Sequence, residues 1–193
     1  VLALELSAAI GSVAFCENGE RLFRAFPADR KDSGLFYENL EKIYRQGGPP
    51  DLVVVGLGPG SYAGVRIAIA TAVGMKAATN ARLVGLPSVC AIDQSEYIFV
   101  GDARRSSFFF AHVARGCCVE GPKLASEGEI RAKLQARGQL PCVATHPLPQ
   151  FEDVTIEHPS ALRLVELATE VDCLIEENLE PIYLREPYIT TPR

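Results

Sequence analysis

The residues best suited to chemistry in this chain sit in one stretch, GLGPGSYAGVRIAIATAVGMKAA, at positions 56–78. Gly58 and Gly60 admit backbone conformations closed to other residues, Pro59 stiffens the turn between them, and Ser61 can cap a following helix. Gly64 and Arg66 then fall in the first helical turns. Amides gathered at a helix N-terminus suit an oxyanion or phosphate, and the Arg66 guanidinium would add a charge-assisted contact. The competing reading is that the glycines only make a strand-to-helix turn tight. The segment has neither the lysine of a P-loop nor the G-x-G-x-x-G spacing, so the tight turn is the preferred reading on pattern alone.

The other candidates are weaker. His112, His146 and His158 include no pair four residues apart, so no helical face offers two imidazoles to a metal. The six cysteines, Cys16, Cys90, Cys117, Cys118, Cys142 and Cys173, contain no C-x-x-C pair and read as free, buried thiols. Cys117 and Cys118 point to opposite faces if they lie on a strand. Asp102 with Arg104 and Arg105 reads as a solvated turn, and Glu5 as a strand-end carboxylate. No catalytic residue, metal site or cofactor is assigned.

The elements that position the glycine segment follow from periodicity. VLALELS, GSVAFCE and ERLFRAF form a meander, with Asn18-Gly19 supplying a tight hairpin turn. Asp32 or Ser33 caps a helix with Phe36, Leu40 and Ile43 on its apolar face, and Gly47-Gly48-Pro49-Pro50 stops it. DLVVVGLG and RLVGLPS are buried strands on either side of a helix from about Val65 to Thr79. In that helix Val65, Ile69, Ala72 and Val73 form one apolar face, while Ala70, Gly74 and Ala78 line small residues along another. A helix apolar nearly all round is buried all round, and its small-residue face admits a second helix, either from its own lobe or from another chain. From Ser88 onward the strands SEYIFVGD, SSFFFAHVA and CCVEGPK, a capping box at Ser126 and Glu129, the strand LPCVATH and the helix SALRLVELATEV follow, without a detectable sequence repeat. Alternating strands and helices after a meander predict an α/β protein with mixed sheets. The expected division is 1–87 and a smaller lobe 88–193, with the carboxy-terminal tail packing back on the first.

Bulk properties narrow the class. A chain of 193 residues, 48% hydrophobic and 22% charged, can build a real core. Its longest apolar run, Val65 to Ala78, is interrupted by Arg66, Thr71 and Lys76, which predicts no membrane span. The amino-terminal strand lacks a basic leader, and a cytoplasmic location is expected. The formal charge of −5 and dispersed basic residues argue against direct nucleic-acid binding.

The glycine segment, the strand before it and RLVGLPS after it resemble the signature of the TsaB (YeaZ) family, with supporting matches in LALELS, SVAF, GDARRSSFFFA and EPIYLREP. The resemblance implies the two-lobed actin-like (ASKHA, ribonuclease H-like) fold. It also implies a non-catalytic scaffolding subunit that works with the catalytic subunit TsaD and the ATPase TsaE in threonylcarbamoyl transfer to adenosine of tRNA, or that homodimerises when alone. tRNA would then be held only indirectly, through the complex. The expected partner surface is Phe36, Leu40, Ile69, Ala70, Val73, Gly74 and Ala78. Glu5 departs from the family, which usually carries Asp in the first strand. A small-molecule kinase or ATPase of the actin-like superfamily is the alternative.

Overall fold

The computed structural model describes residues 1–28, 33–104, 107–171, 173–176 and 179–184. Asp32 and Arg105, and the tail from residue 185 on, lie outside them. The first half contains β1 (Leu2–Glu5), β2 (Ile10–Glu17), β3 (Glu20–Pro27), α1 (Gly34–Gly47), β4 (Leu52–Gly56), α2 (Tyr62–Thr79) and β5 (Arg82–Leu86). After a single 3-10 turn at Ser88–Cys90 come β6 (Glu96–Asp102), β7 (Phe108–Ala114), β8 (Cys117–Ala125), α3 (Glu127–Ala136), β9 (Cys142–Ala144), β10 (Val154–Ile156) and α4 (Ala161–Glu170).

The two halves share one topology, although no sequence repeat relates them. The first sheet runs β3-β2-β1-β4-β5 and the second β8-β7-β6-β9-β10. In each, three antiparallel strands are followed by two added parallel to the first. The Asn18-Gly19 turn joins β2 to β3 with both residues at positive φ, 49° and 84°, which matches the strand twist of a hairpin. Helix α3 occupies the place of α1 between the third and fourth strands. No helix lies between β9 and β10 in the place of α2, so the α1/α2 pair belongs to the first half alone.

Strand parity decides which residues face which layer. On β1 and β4, Leu2, Leu4, Val53 and Val55 face α1 and α2, where Phe36, Leu40, Ile43, Val65, Ala68 and Ile69 meet them. The intervening Ala3 and Val54 face the other way, toward Leu164 and Leu167 of α4. That second core continues into Tyr97, Phe99, Phe109 and Val143 of the second sheet, so α4 is sandwiched between both sheets. Its start is fixed by the Ala161 amide donating to Ser12 Oγ at 2.9 Å and the Ser160 amide donating to Ala91 O at 2.9 Å. The far face of the second sheet packs Ile98, Val100 and Phe110 against Ile130 of α3. The capping box holds there, with the Ser126 side chain accepting from the Glu129 amide and the Glu129 carboxylate accepting from the Ser126 amide.

Two sequence expectations change. The helix after the glycine turn begins at Tyr62, earlier than the periodicity indicated, because Ser61 caps it directly. Cys117 and Cys173 form a disulfide, where the lack of ligand-like spacing had predicted only free thiols. The pairing escapes a spacing argument because it joins a strand to the segment after α4, brought together only by tertiary packing.

Because Leu164 is fully buried between the two sheets, Leu164→Ala should cost about 3 kcal/mol and both sheets should still unfold in one transition. Denaturant melts followed by far-ultraviolet circular dichroism and by tyrosine fluorescence check this. Separation of the two signals in the variant would show that α4 does not couple the sheets.

Candidate functional site

The glycine turn is built for close backbone approach. Gly58 has φ of 82°, and Cβ atoms on Gly60 and Gly64 would overlap the carbonyl oxygens of Ser7 and Leu6. The Ser61 amide donates to Ser7 O at 2.7 Å, which seals the turn onto the β1–β2 connection. Ser61 Oγ caps α2 by accepting from the Gly64 amide at 3.2 Å. The Gly58 amide donates to Ser88 Oγ at 2.9 Å and the Ser88 amide donates to Gly58 O at 2.7 Å. The amides of Gly58, Ser61 and Gly64, candidates for an anion nest, are therefore spent inside the protein.

Arg66 is likewise engaged. Its Nε donates to Tyr183 Oη at 2.6 Å, and its guanidinium lies 3.9 Å from the Tyr62 ring centroid. The clamp fastens the tail over the turn, where the Ile182 amide also donates to Leu57 O at 2.8 Å and Ile175 pairs with the edge of β5 at Gly85. Tyr62 and Tyr183 were not singled out by sequence, since neither has a periodic partner and their meeting spans the whole fold.

Glu5 lies beneath the turn, fully buried. Its Oε1 accepts from the Ser7 amide at 2.6 Å, the strand-end role anticipated for it, while its Oε2 has no partner. A Cβ on Gly56 would overlap this carboxyl group, so β4 carries glycine where the acid must fit. Burial raises the Glu5 pKa above its ordinary 4.5, and the hydrogen bond from Ser7 only partly opposes it. A cleft of about 740 Å³ opens above the turn between the two sheets, with Ser7, Gly60 and Ser61 on one side and Asp102, Arg104 and His146 on the other. Asp102 closes its own turn, its Oδ1 accepting from the Arg104 amide at 2.6 Å. Glu5 is not among the groups that reach this cleft.

The expected partner residues divide into two sets. Phe36, Leu40 and Ile69 are buried in the core beneath the helices, with Phe36 the most completely covered. Ala70, Val73, Gly74 and Ala78 are exposed on α2, and a Cβ on Gly74 would meet nothing within 4 Å. A groove of about 380 Å³ runs between α1 and α2, lined by Tyr37, Leu40, Tyr44, Gly74, Met75 and Ala78 among others. Tyr37 and Tyr44 are 49% and 37% exposed, large for aromatic side chains. Sequence reasoning missed both, although they lie one helical turn on either side of Leu40 and extend its stripe on α1.

The histidines stay apart. His112 Nε2 pairs with Glu96 Oε1 at 2.8 Å across β6 and β7, His146 bonds Thr145, and burial lowers the pKa of His158. Among the described residues no group of three or more His, Cys, Asp or Glu is placed to hold a metal, and no helix is long and apolar enough to cross a membrane.

A raised folded pKa means that the Glu5 contribution is fully present below 4.5 and is lost as pH rises through the folded value. Glu5→Gln, which stays neutral, should gain stability relative to the parent as pH rises above 4.5, seen as diverging thermal midpoints across pH 4 to 8. Parallel profiles would mean that Glu5 ionises alike in the folded and unfolded states.

Comparison with known proteins follows this geometry. Residues 41–120, which carry the end of α1, the glycine turn, α2 and the strands up to β8, match the family TsaD, tRNA N6-adenosine threonylcarbamoyltransferase. An uncharacterized protein of Mycobacterium leprae is 30% identical over 148 residues, covering 71% of this chain and 38% of that protein. An uncharacterized protein of Mycobacterium tuberculosis is 30% identical over 147 residues, covering 71% of this chain and 65% of that protein. The chain thus spans less than two thirds of the length of these relatives. Two solved structures from Pseudomonas aeruginosa superimpose over 95% of this chain and 98% of theirs. One is YeaZ, at TM-score 0.77 and 20% identity, and the other a protein described as similar to peptidase YEAZ, at TM-score 0.78 and 19% identity. These likenesses establish the fold, the two-lobed actin-like arrangement of mixed sheets. Over nearly its whole length the chain thus has the fold of YeaZ, and across its glycine turn and α2 it is similar to the TsaD family.

Proposed function

We propose that this chain is a non-catalytic scaffolding subunit of the machinery that transfers threonylcarbamoyl to adenosine of tRNA, and that it binds a TsaD-like catalytic subunit through α1 and α2. The observation that carries the reading is the open groove between these helices, where Gly74 leaves room for a facing helix while Tyr37, Tyr44 and Val73 remain uncovered. Gly inside an exposed helix costs about 1 kcal/mol relative to Ala, and nothing within the lobe requires it at this position. A close helix–helix approach supplies the reason. Buried apolar and aromatic area centred on a small-residue gap is what anchors a stable interface. The contact set is the exposed one, Ala70, Val73, Gly74 and Ala78 with Tyr37 and Tyr44, while Phe36, Leu40 and Ile69 support it from beneath.

A TsaE-like ATPase acts on the assembled pair, and tRNA is held by the partners, consistent with the net charge of −5. The same face serves a homodimer when the catalytic subunit is absent. The functional units are 1–87, which carries the partner helices, and 88–193, and the assembly works in the cytoplasm. The kinase or ATPase alternative gains no support from the cleft, because the carboxyl of Glu5 is buried against the Ser7 amide and does not reach it.

Gly74→Leu should leave the chain folded with little change in thermal midpoint, since the added side chain enters open space, yet abolish co-purification with the TsaD-like subunit and the tRNA-modifying activity of the reconstituted set. Full activity of the folded variant would exclude this face as the partner surface.

A further inference from the structure

Four cysteines gather where β8, the Ser88–Cys90 turn and the segment after α4 meet. Cys117 and Cys173 are already bonded. The neighbouring Cys118 places its Sγ 3.4 Å from Cys90 Sγ, and both are free thiols. We propose that Cys90 and Cys118 form a second, reversible redox site, a dithiol that small-molecule disulfides of the glutathione class oxidise to a disulfide bridging the Ser88–Cys90 turn and β8.

The geometry assigns separate roles to the two sulfurs. Cys90 is 1% exposed in the core, whereas Cys118 is only partly buried on an edge strand, so an incoming disulfide reaches Cys118 first. Either sulfur can donate across this contact, but it raises the pKa of Cys90, as burial also does, and lowers that of Cys118, so the thiolate is favoured on Cys118. An accessible thiolate beside a buried resolving thiol is the arrangement found in redox-sensing cysteines. In the first step the Cys118 thiolate attacks one sulfur of the small disulfide, forming a mixed disulfide on Cys118 and expelling one small thiolate. In the second, Cys90 gives its proton to solvent base or to the departing thiolate and attacks Cys118 Sγ, expelling the second small thiol. One protein dithiol and one small disulfide thus become one protein disulfide and two small thiols.

The bond requires the sulfurs to close from 3.4 Å to about 2.05 Å. Cys90 has little freedom, since Tyr97 Oη donates to Val89 O at 2.6 Å and Ser88 is tied to Gly58. Movement falls to β8, an edge strand whose register with β7 shifts between Phe110 and Val113, close to the Cys118 pairing. Oxidation would fasten the second sheet to a turn two residues from Ser88, the side chain that holds the glycine turn.

The test treats the intact protein with oxidised glutathione, quenches with acid, alkylates under denaturing conditions and maps the peptides by mass spectrometry. Before treatment the four free cysteines are Cys16, Cys90, Cys118 and Cys142. The expected result is loss of labelling at Cys90 and Cys118 alone, with a cross-linked peptide joining them that dithiothreitol dissolves. Cys90→Ser should stop at glutathione on Cys118, and Cys118→Ser should leave Cys90 fully labelled. Unchanged labelling of all four thiols in the parent protein overturns the proposal, as does a mixed disulfide on Cys118 that never resolves, or a cross-link from Cys118 to any cysteine other than Cys90.

Discussion

Everything near the candidate site depends on how closely the β4–α2 turn lies against the β1–β2 connection. Glycines at 60 and 64 bring one backbone onto the carbonyl oxygens of Leu6 and Ser7, and a side chain at either position would force them apart. Ser88 holds the turn from below and Ser7 from above. Since α2 starts at Ser61, the position of the turn sets the position of the helix. The placement of α2 beside α1, and so the width of the groove between them, follows from this contact.

Glu5 shows how this constraint propagates. The carboxyl group occupies space that Gly56 leaves free, and its bond to the Ser7 amide orients the loop that the glycine turn meets. The acid here therefore goes together with a buried, structural environment in which the neutral form is favoured. Its chemistry is internal to the fold. The tail adds a further restraint from outside, with Arg66 held between Tyr62 and Tyr183.

Much of this was legible in the sequence, for reasons that can be stated. Buried strands such as LVVVG and RLVGL betray themselves as short apolar runs, the Asn18-Gly19 turn by its residue types, and the Ser126 and Ser61 caps by position. Local rules suffice there. What escaped depends on long-range packing: β10, the Cys117–Cys173 bond, and the Arg66 clamp across 117 residues. The periodicity of α2 predicts burial all round, but Val73 is 50% exposed and Gly74 faces outward while Ile69 faces the lobe's own core. That division is set by the rotation of the helix on its sheet, which the turn at Ser61 fixes.

The central claim is that the groove between α1 and α2, and not the cleft between the sheets, receives the partner chain. Hydrogen–deuterium exchange of this protein, alone and with the TsaD-like subunit, tests it most directly. The account predicts added protection in peptides spanning α1 and α2, with the strands around Asp102 and Thr145 unchanged. Protection confined to the cleft residues, with α1 and α2 exchanging as in the isolated chain, would contradict it.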